Sequence, residues 1–416
     1  MELAAGYKQT EVGVIPDDWD VHDLGEIGEP IIGLTYSPKD VASFGTLVLR
    51  SSNVQKGRLS FLNNVFVTCE ISERIIVKNG DILICVRNGS RDLIGKCAQI
   101  VAPKTKMAFG AFMSVYRTEF AKYTFHQFQS DIIQKQINSH LGATINQITN
   151  GSLRSFKIPL PPTKAEQEAI AGALSDADAW IESLEQLIAK KRRIKEGAMQ
   201  TLLTGKQRLP GFSGEWEVLR IRDSLSTLMD YRGRTPRKLG MDWGGGNIRA
   251  LSAGNVRMGA IDFSQECYFG SEQLYKKWMV TGEAQKGDIL MTTEAPLGNV
   301  AMIPDNQKYI LSQRTILLRP NPSILNNRFL FQKLMSQEFQ ELLSKDSSGS
   351  TATGIQRLKF EKIKINFPSV KEQTAIAEIL SDMDTEIDAL EAKLRKARQI
   401  KQGMMQELLT GKTRLV

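Results

Sequence analysis

The sequence predicts an α+β protein built twice over: two strand-rich globules, each followed by a long helix. The two helices are expected to pair as an antiparallel coiled coil with pseudo-twofold symmetry. Three observations predict this. Laid over itself at an offset of 206, the stretch 166–209 matches 372–415 at 26 of 44 positions, which marks a tandem duplication. Each copy carries a narrow apolar seam spaced 4-3-4-3-4, the a/d pattern of a coiled coil. Each copy is also preceded by about 150 residues of short β-branched and aromatic runs, broken by Gly, Asn and Pro.

Taken in order, residues 1–157 form the first globule, with strand-like runs such as "GTLVLRSSNV" and "DILICVR". Residues 158–209 form the first helical region. Pro161 and Pro162 prevent an earlier start, Ile170, Leu174, Ile181, Leu184 and Ile188 lie along the seam, and Gly205 ends the helix in "LLTGK". Residues 210–364 form the second globule, with "GDILMTT" and "YILSQRTILLRP" as strands. Residues 365–416 repeat the helical region, with Pro368 before it, Ile376, Leu380, Ile387, Leu390 and Leu394 on its seam, and Gly411 at its end. A helix with so narrow a seam needs a partner, and the chain carries two of equal length. Because a globule of about 155 residues must fit between them, they should run antiparallel. Packing of each helix onto its own preceding globule suits such a seam less well.

The globules share a skeleton: Trp19 and Trp216, Asn53-Val54 and Asn255-Val256, and "GDIL" at 80–83 and 287–290. Between these landmarks they diverge. The scaffold was kept while the two surfaces became different.

Composition limits the function. The 416 residues are 41% hydrophobic and 24% charged, and Lys plus Arg exceed Asp plus Glu by 54 to 46. A net charge of +8 permits a polyanionic partner without demanding one. The four cysteines are scattered and only three histidines occur, so neither a zinc site nor a disulfide framework is expected. "MELAAGYKQTEVGVIPDDW" lacks a signal-peptide core, and no run approaches eighteen apolar residues. A cytoplasmic protein with no membrane partner is expected.

The usual catalytic motifs are missing. There is no GxxxxGK[ST] phosphate loop, no GxGxxG after a strand and no HExxH. Asp81 and Asp288 of the "GDIL" pair read as turn residues rather than nuclease carboxylates, because neither copy supplies the further carboxylates and lysine that a two-metal site needs. What recurs in both globules is a supply of groups suited to nucleic acid. The first offers Arg87, Asn88, Ser90, Arg91 and Lys96 in "VRNGSRDLIGK", then Thr144 and Asn146 in "GATINQ". The second offers Arg232, Arg234, Arg237 and Lys238 in "YRGRTPRK", then Thr292, Thr293, Gln313 and Arg314, with Ser350 and Thr351 in "DSSGSTATG". Arg reads guanine bidentately, Asn and Gln read adenine, and hydroxyls, lysines and backbone N–H groups hold phosphates. The run "KKRRIK" at 190–195 reads as a solvated or partner-facing helix surface.

Over essentially its whole length the chain resembles the specificity subunit of a type I restriction–modification system. The likeness rests on "IPLPPTKAEQEAIAGALSDADAWIE" and "INFPSVKEQTAIAEILSDMDTEID", each closing on "LLTGK", and on "RTP…WGGGNIRALSAGNVRMGAI…GDIL" in the second globule. The first globule departs from the pattern, since "GLTYSPKDVASFGTLVLRSSNV" lacks the Trp-Gly-Gly turn. The resemblance implies two target-recognition domains, each reading one half of a bipartite, asymmetric site in double-stranded DNA. It implies helices that set the distance between halves and dock two methyltransferase subunits, with two restriction subunits joining for cleavage. It also implies no cofactor in this chain: S-adenosylmethionine belongs to the methyltransferase, and ATP and Mg to the restriction subunit. A stand-alone DNA-binding nuclease and a coiled-coil scaffold are the alternatives. The missing carboxylate sites oppose the first and the recurrent Arg/Asn/Gln loops the second.

Overall fold

A computed structural model describes residues 5–141, 146–345 and 354–415. The chain forms two compact units, Met1–Glu185 with Lys393–Val416, and Gln186–Ala392. Each unit therefore holds one globule, the first part of the helix that follows it, and the last part of the other long helix.

In the first unit, a four-stranded antiparallel sheet runs in the order Cys97–Gln99, Ile82–Cys85, Met113–Arg117, Glu29–Ile32. The second unit repeats that order with Val300–Met302, Ile289–Thr292, Thr315–Pro320 and Leu225–Asp230. The strands after the two "GDIL" turns are buried at every position, which is why they read as unbroken apolar runs. A second sheet carries a parallel pair in each unit, Met107–Phe109 on Thr46–Leu49 and Tyr309–Leu311 on Ile248–Leu251. Each globule is closed by a two-stranded clasp joining its beginning to its end: Asp20–Asp23 with Lys157–Leu160, and Glu217–Arg220 with Lys364–Phe367.

The shared skeleton is structural. Asp81 accepts the Lys78 N–H at 2.8 Å and binds Arg117 through both carboxylate oxygens at 2.8 Å. Asp288 does the same with the Gln285 N–H at 2.8 Å and with Arg319 at 2.8 and 2.6 Å. Both aspartates thus close the turn before the central strand and pin the neighbouring strand to it, as their turn reading requires. Asn53 and Asn255, both buried, accept the Arg50 and Ser252 N–H groups in matching turns.

The long helices span Lys164–Leu202 and Val370–Leu408, 39 residues each, and end at Gly205 and Gly411 in left-handed turns, with φ of +73° and +71°. A Cβ at Gly205 would lie 3.0 Å from the Trp216 ring, and one at Gly411 only 2.5 Å from Pro16, so glycine is required twice over. Within the first unit the helices pair antiparallel through Asp178–Lys401 at 2.7 Å and Glu185–Arg398 at 2.5 Å. Within the second they pair through the equivalent Asp384–Lys195 and Glu391–Arg192, each at 2.5 Å. Every residue in the second set is the first set's counterpart at the repeat offset of 206.

The seam does more than pair helices. Ile170 and Leu174 enter one core with Ile82, Ile84, Tyr116 and Phe128, and with Leu408 and Leu409 of the second helix. Ile376 and Leu380 likewise join Ile289, Phe329, Leu202 and Leu203. Helix pairing was expected instead of packing on the preceding globule; the structure has both, because the first turns of each helix are the floor of the globule's core. Ile181, Leu184, Ile188 and Ile387 are buried, whereas Leu390 and Leu394 are half-buried. In sequence Leu390 stands between Glu386 and Glu391, which pair with Lys191 and Arg192 of the other helix.

The repeated Glu-Gln at each helix start has a specific role. Glu166, only 1% exposed at its side chain, receives two hydrogen bonds from Arg414, which also holds Asp18. Glu372 receives two from Arg208, both at 2.6 Å. Gln167 and Gln373 donate to the carbonyls of Pro161 and Pro368 at 2.8 Å. The start of one helix is thus clamped to the tail of the other, and the motif appears twice because the clamp does. Arg414 and Arg208 also lie over Trp19 and Trp216, the first landmark of each globule.

Candidate nucleic-acid interface

One loop falls at an equivalent place in both units, the one that follows the central strand at Arg87 and at Glu294; Arg232–Lys238 instead follows the outer strand Leu225–Asp230. In the first unit, Arg87 pairs as an isolated bridge with Gln147, the Asn88 N–H donates to the Asn146 carbonyl at 3.5 Å, and Asn146 donates to the Gly89 carbonyl at 3.3 Å. In the second unit, Glu294 bridges Gly354, and the Ile355 N–H donates to Thr293. In both cases the loop after the central strand meets the segment leading into the last short helix of the globule. Thr144, Ser350 and Thr351 lie outside the described residues.

The predicted side chains divide into those free to meet a ligand and those already engaged. Arg87 is exposed, with its guanidinium 5.1 Å from the centre of the Phe112 ring and no side-chain hydrogen bond among the described residues. Ser90 is exposed beside it. Asn88 is half-buried, donating to Ser51 Oγ at 3.0 Å while its own Oδ1 accepts the Ser90 N–H at 3.0 Å, so it shapes the loop. Arg91 donates to the carbonyls of Asn138 and Leu141 at the end of the helix Asp131–His140, and Lys96 to the carbonyl of Val54 at 3.1 Å. Both side chains are thus spent on backbone oxygens, Arg91 at a helix end where carbonyls lack intrahelical donors.

In the second unit Arg232 is engaged on every side. It donates to Asp230 at 2.9 and 2.6 Å, to Thr293 Oγ1 at 3.3 Å and to the Ile355 carbonyl at 3.3 Å. Burial works to raise the Asp230 carboxyl, but the hydrogen bonds and charge of Arg232 outweigh it and hold that carboxyl below the usual carboxylate range. Thr292 and Thr293 are fully buried; the Thr292 hydroxyl bonds the Pro296 carbonyl and accepts the Asn299 N–H. Arg234 donates to the Trp278 carbonyl and lies over Tyr231, and Lys238 donates to the Gly233 carbonyl at 2.7 Å. Arg314, exposed at a φ of +65°, sits 3.6 Å from Glu294. Arg237 and Gln313 are exposed, and their side chains make no hydrogen bond or ion pair among the described residues.

Arg234, Arg237 and Gln313 come together around a cleft of about 830 Å³. Its wall contains a pair that sequence reasoning missed, Trp243 stacked on Tyr268. Trp243 belongs to the "WGGG" stretch, which was read only as a turn. The signal available in the sequence was an aromatic residue at a glycine turn, with another twenty-five residues on.

A sequence profile described as the type I restriction modification DNA specificity domain matches this chain twice, over residues 16–191 and 213–401. The chain belongs to that family. Its two globules, each with the start of its helix, are two specificity domains, and the chain serves the DNA specificity of a type I restriction–modification enzyme. It is 27% identical over 434 residues to a Methanocaldococcus jannaschii protein provisionally named the MjaX type I restriction enzyme specificity subunit, covering 98% of this chain and 97% of that one. It is 25% identical to the type I restriction enzyme EcoKI specificity subunit of Escherichia coli K12, covering 95% and 89%. The fold matches a crystal structure of a type I restriction–modification S subunit from M. genitalium, with a TM-score of 0.60, 15% identity and 98% of both chains covered. It also matches a chain from a study of complex assembly and conformational transition in the type I R-M system, with a TM-score of 0.57, 18% identity, and 96% and 99% covered. Among the described residues no helix is long and apolar enough to cross a membrane.

Proposed function

We propose that each specificity domain reads one half of a bipartite, asymmetric site in double-stranded DNA. The observation that carries this is one skeleton bearing two unlike surfaces: identical turns and clamps in both units, but "RNGSR" where the second domain has "TEAPLG". A symmetric site would need no such divergence. In this reading the chain is itself non-catalytic. The paired helices dock two methyltransferase subunits, which bring S-adenosylmethionine and methylate adenine, and two restriction subunits with ATP and Mg complete the cytoplasmic enzyme. The "KKRRIK" run lies partly open for such docking: Arg193 is exposed and, among the described residues, bonds only its own helix backbone.

Co-expression with the neighbouring methyltransferase, followed by genome-wide mapping of methylated adenine, tests the proposal. A gapped two-part motif is expected. Replacing residues 10–157 with the corresponding domain of another family member should change one half of that motif and leave the other intact. A change in both halves at once would overturn the assignment of one half-site to each domain.

A further inference from the structure

The cleft of the second domain contains an aromatic column. Trp278 is fully buried and anchored by its Nε1–H donating to the Leu311 carbonyl at 3.0 Å. Trp243 leans on it with ring centroids 5.5 Å apart, and Tyr268 stacks on Trp243 at 5.3 Å with the two planes within 9°. Yet Tyr268 remains 65% exposed. An aromatic ring backed by two others, one of them buried, has little freedom to fold away, and its outer face is presented to solvent as a fixed plate. Such a plate is an unspent stacking surface.

Around the plate stand groups of complementary kinds. Arg237 and Gln313 offer free donors, and the carboxylates of Asp242 and Glu266 line the same cleft as acceptors. A planar heterocycle with amino and carbonyl edges, attached to a phosphate, uses all of them: its face on Tyr268, its edge on Gln313 or a carboxylate, its phosphate toward Arg237. We propose that Tyr268 stacks on a base of the target DNA at an opened base-pair step in the half-site read by the second domain. This rests on the DNA reading proposed above. The step must open because in an intact duplex the faces of each base are covered by its neighbours, so a protein ring reaches them only by wedging between bases or by receiving one that has left the stack. The feature belongs to one domain only, since the first lacks the Trp-Gly-Gly turn that places Trp243.

The test uses the complex of the full chain with its methyltransferase, on DNA carrying the motif read from the methylome. 5-Iodouracil or 5-iodocytosine replaces each pyrimidine of the second half-site in turn, on either strand, and cross-linked peptides are mapped after irradiation. A cross-link to Tyr268 from one position is expected, lost in Tyr268→Ala. That variant should bind the specific site about 5- to 150-fold more weakly, from the stacking contribution of one base, while Tyr268→Phe retains binding. Specific binding by the wild type with no cross-link at Tyr268, or full affinity in Tyr268→Ala, overturns the stacking proposal and leaves the DNA reading standing. Failure of the wild-type complex to bind any specific sequence overturns both.

Discussion

His126 gives the first unit a sensitivity to acid that a single substitution should remove. Its ring is 1% exposed, with Nε2 3.2 Å from Ser175 Oγ and Nδ1 4.0 Å from Asp178 Oδ2. Among the described residues Nδ1 has no hydrogen-bond partner. Asp178 is already engaged by Lys401 at 2.7 Å through both oxygens. Burial, and then the Lys401 charge, push the imidazole from its ordinary 6.5 down to about 4, against a weaker pull from Asp178. In the unfolded chain the ring takes up a proton as pH falls through 6.5; in the folded chain it does so only near 4. Between those values the unfolded state binds more protons. The contribution is therefore fully present above pH 6.5 and is lost as pH falls toward 4. At 1.36 kcal/mol per pH unit the full loss is about 3 kcal/mol, of which about 2 is gone by pH 5. The natural replacement is supplied by the second domain, where Gln332 occupies the equivalent place and donates to Asp384 at 2.8 Å. Urea unfolding of the full-length chain at pH 7.5 and pH 5 should show the wild type losing about 2 kcal/mol more than His126→Gln in the transition of the first unit. All other titrating groups are common to both proteins and cancel in that difference. Equal losses would refute the reasoning, and with it the placement of a neutral histidine in this core.

The helix clamps should be strongly asymmetric to mutation. Arg414→Ala leaves Glu166 buried without its partner and should cost about 3–5 kcal/mol in thermal or urea unfolding, whereas replacing both Glu166 and Arg414 by methionine should cost much less. Arg208→Ala, which strands Glu372, should do the same in the second unit. The arginines of the second domain should separate into two classes. Arg232→Ala should destabilise that domain by leaving Asp230 unpaired. Arg237→Ala should leave unfolding within about 0.5 kcal/mol of wild type and instead reduce the log–log salt dependence of DNA binding by about one.

The duplication, the two helices and their glycine ends were legible because they are local patterns: a period of 3.5, a proline before it, a glycine after it. The "GDIL" aspartates were legible as turn residues for the same reason. The helix clamps were not. Glu166 and Arg414 are 248 residues apart, and nothing in either neighbourhood names the other. The candidate interface was legible as loops and not as side chains. An arginine in "YRGR" reads identically whether its carboxylate lies two residues away, as Asp230 does for Arg232, or on a nucleic acid. Thr292 and Thr293 read as available because a hydroxyl in a loop is usually exposed, but Thr292 closes the turn around Pro296 and Asn299, and the Thr293 hydroxyl accepts from Arg232. Tyr268 escaped notice because its significance lies in the two tryptophans stacked behind it, which only the folded chain brings together.

The division of the chain also imposes an order on synthesis. The second unit is a single continuous segment, 186–392, and can close as soon as its last residue leaves the ribosome. The first unit cannot. Ile170 and Leu174 can pack on the globule that precedes them, but their core is completed only when Leu408 and Leu409 emerge more than two hundred residues later. The half translated first is thus completed last. A stop codon at any position from 393 to 401 would strike the amino-terminal domain, removing Lys401 and Arg414, while the carboxy-terminal domain keeps the Arg208–Glu372 contact of its own clamp.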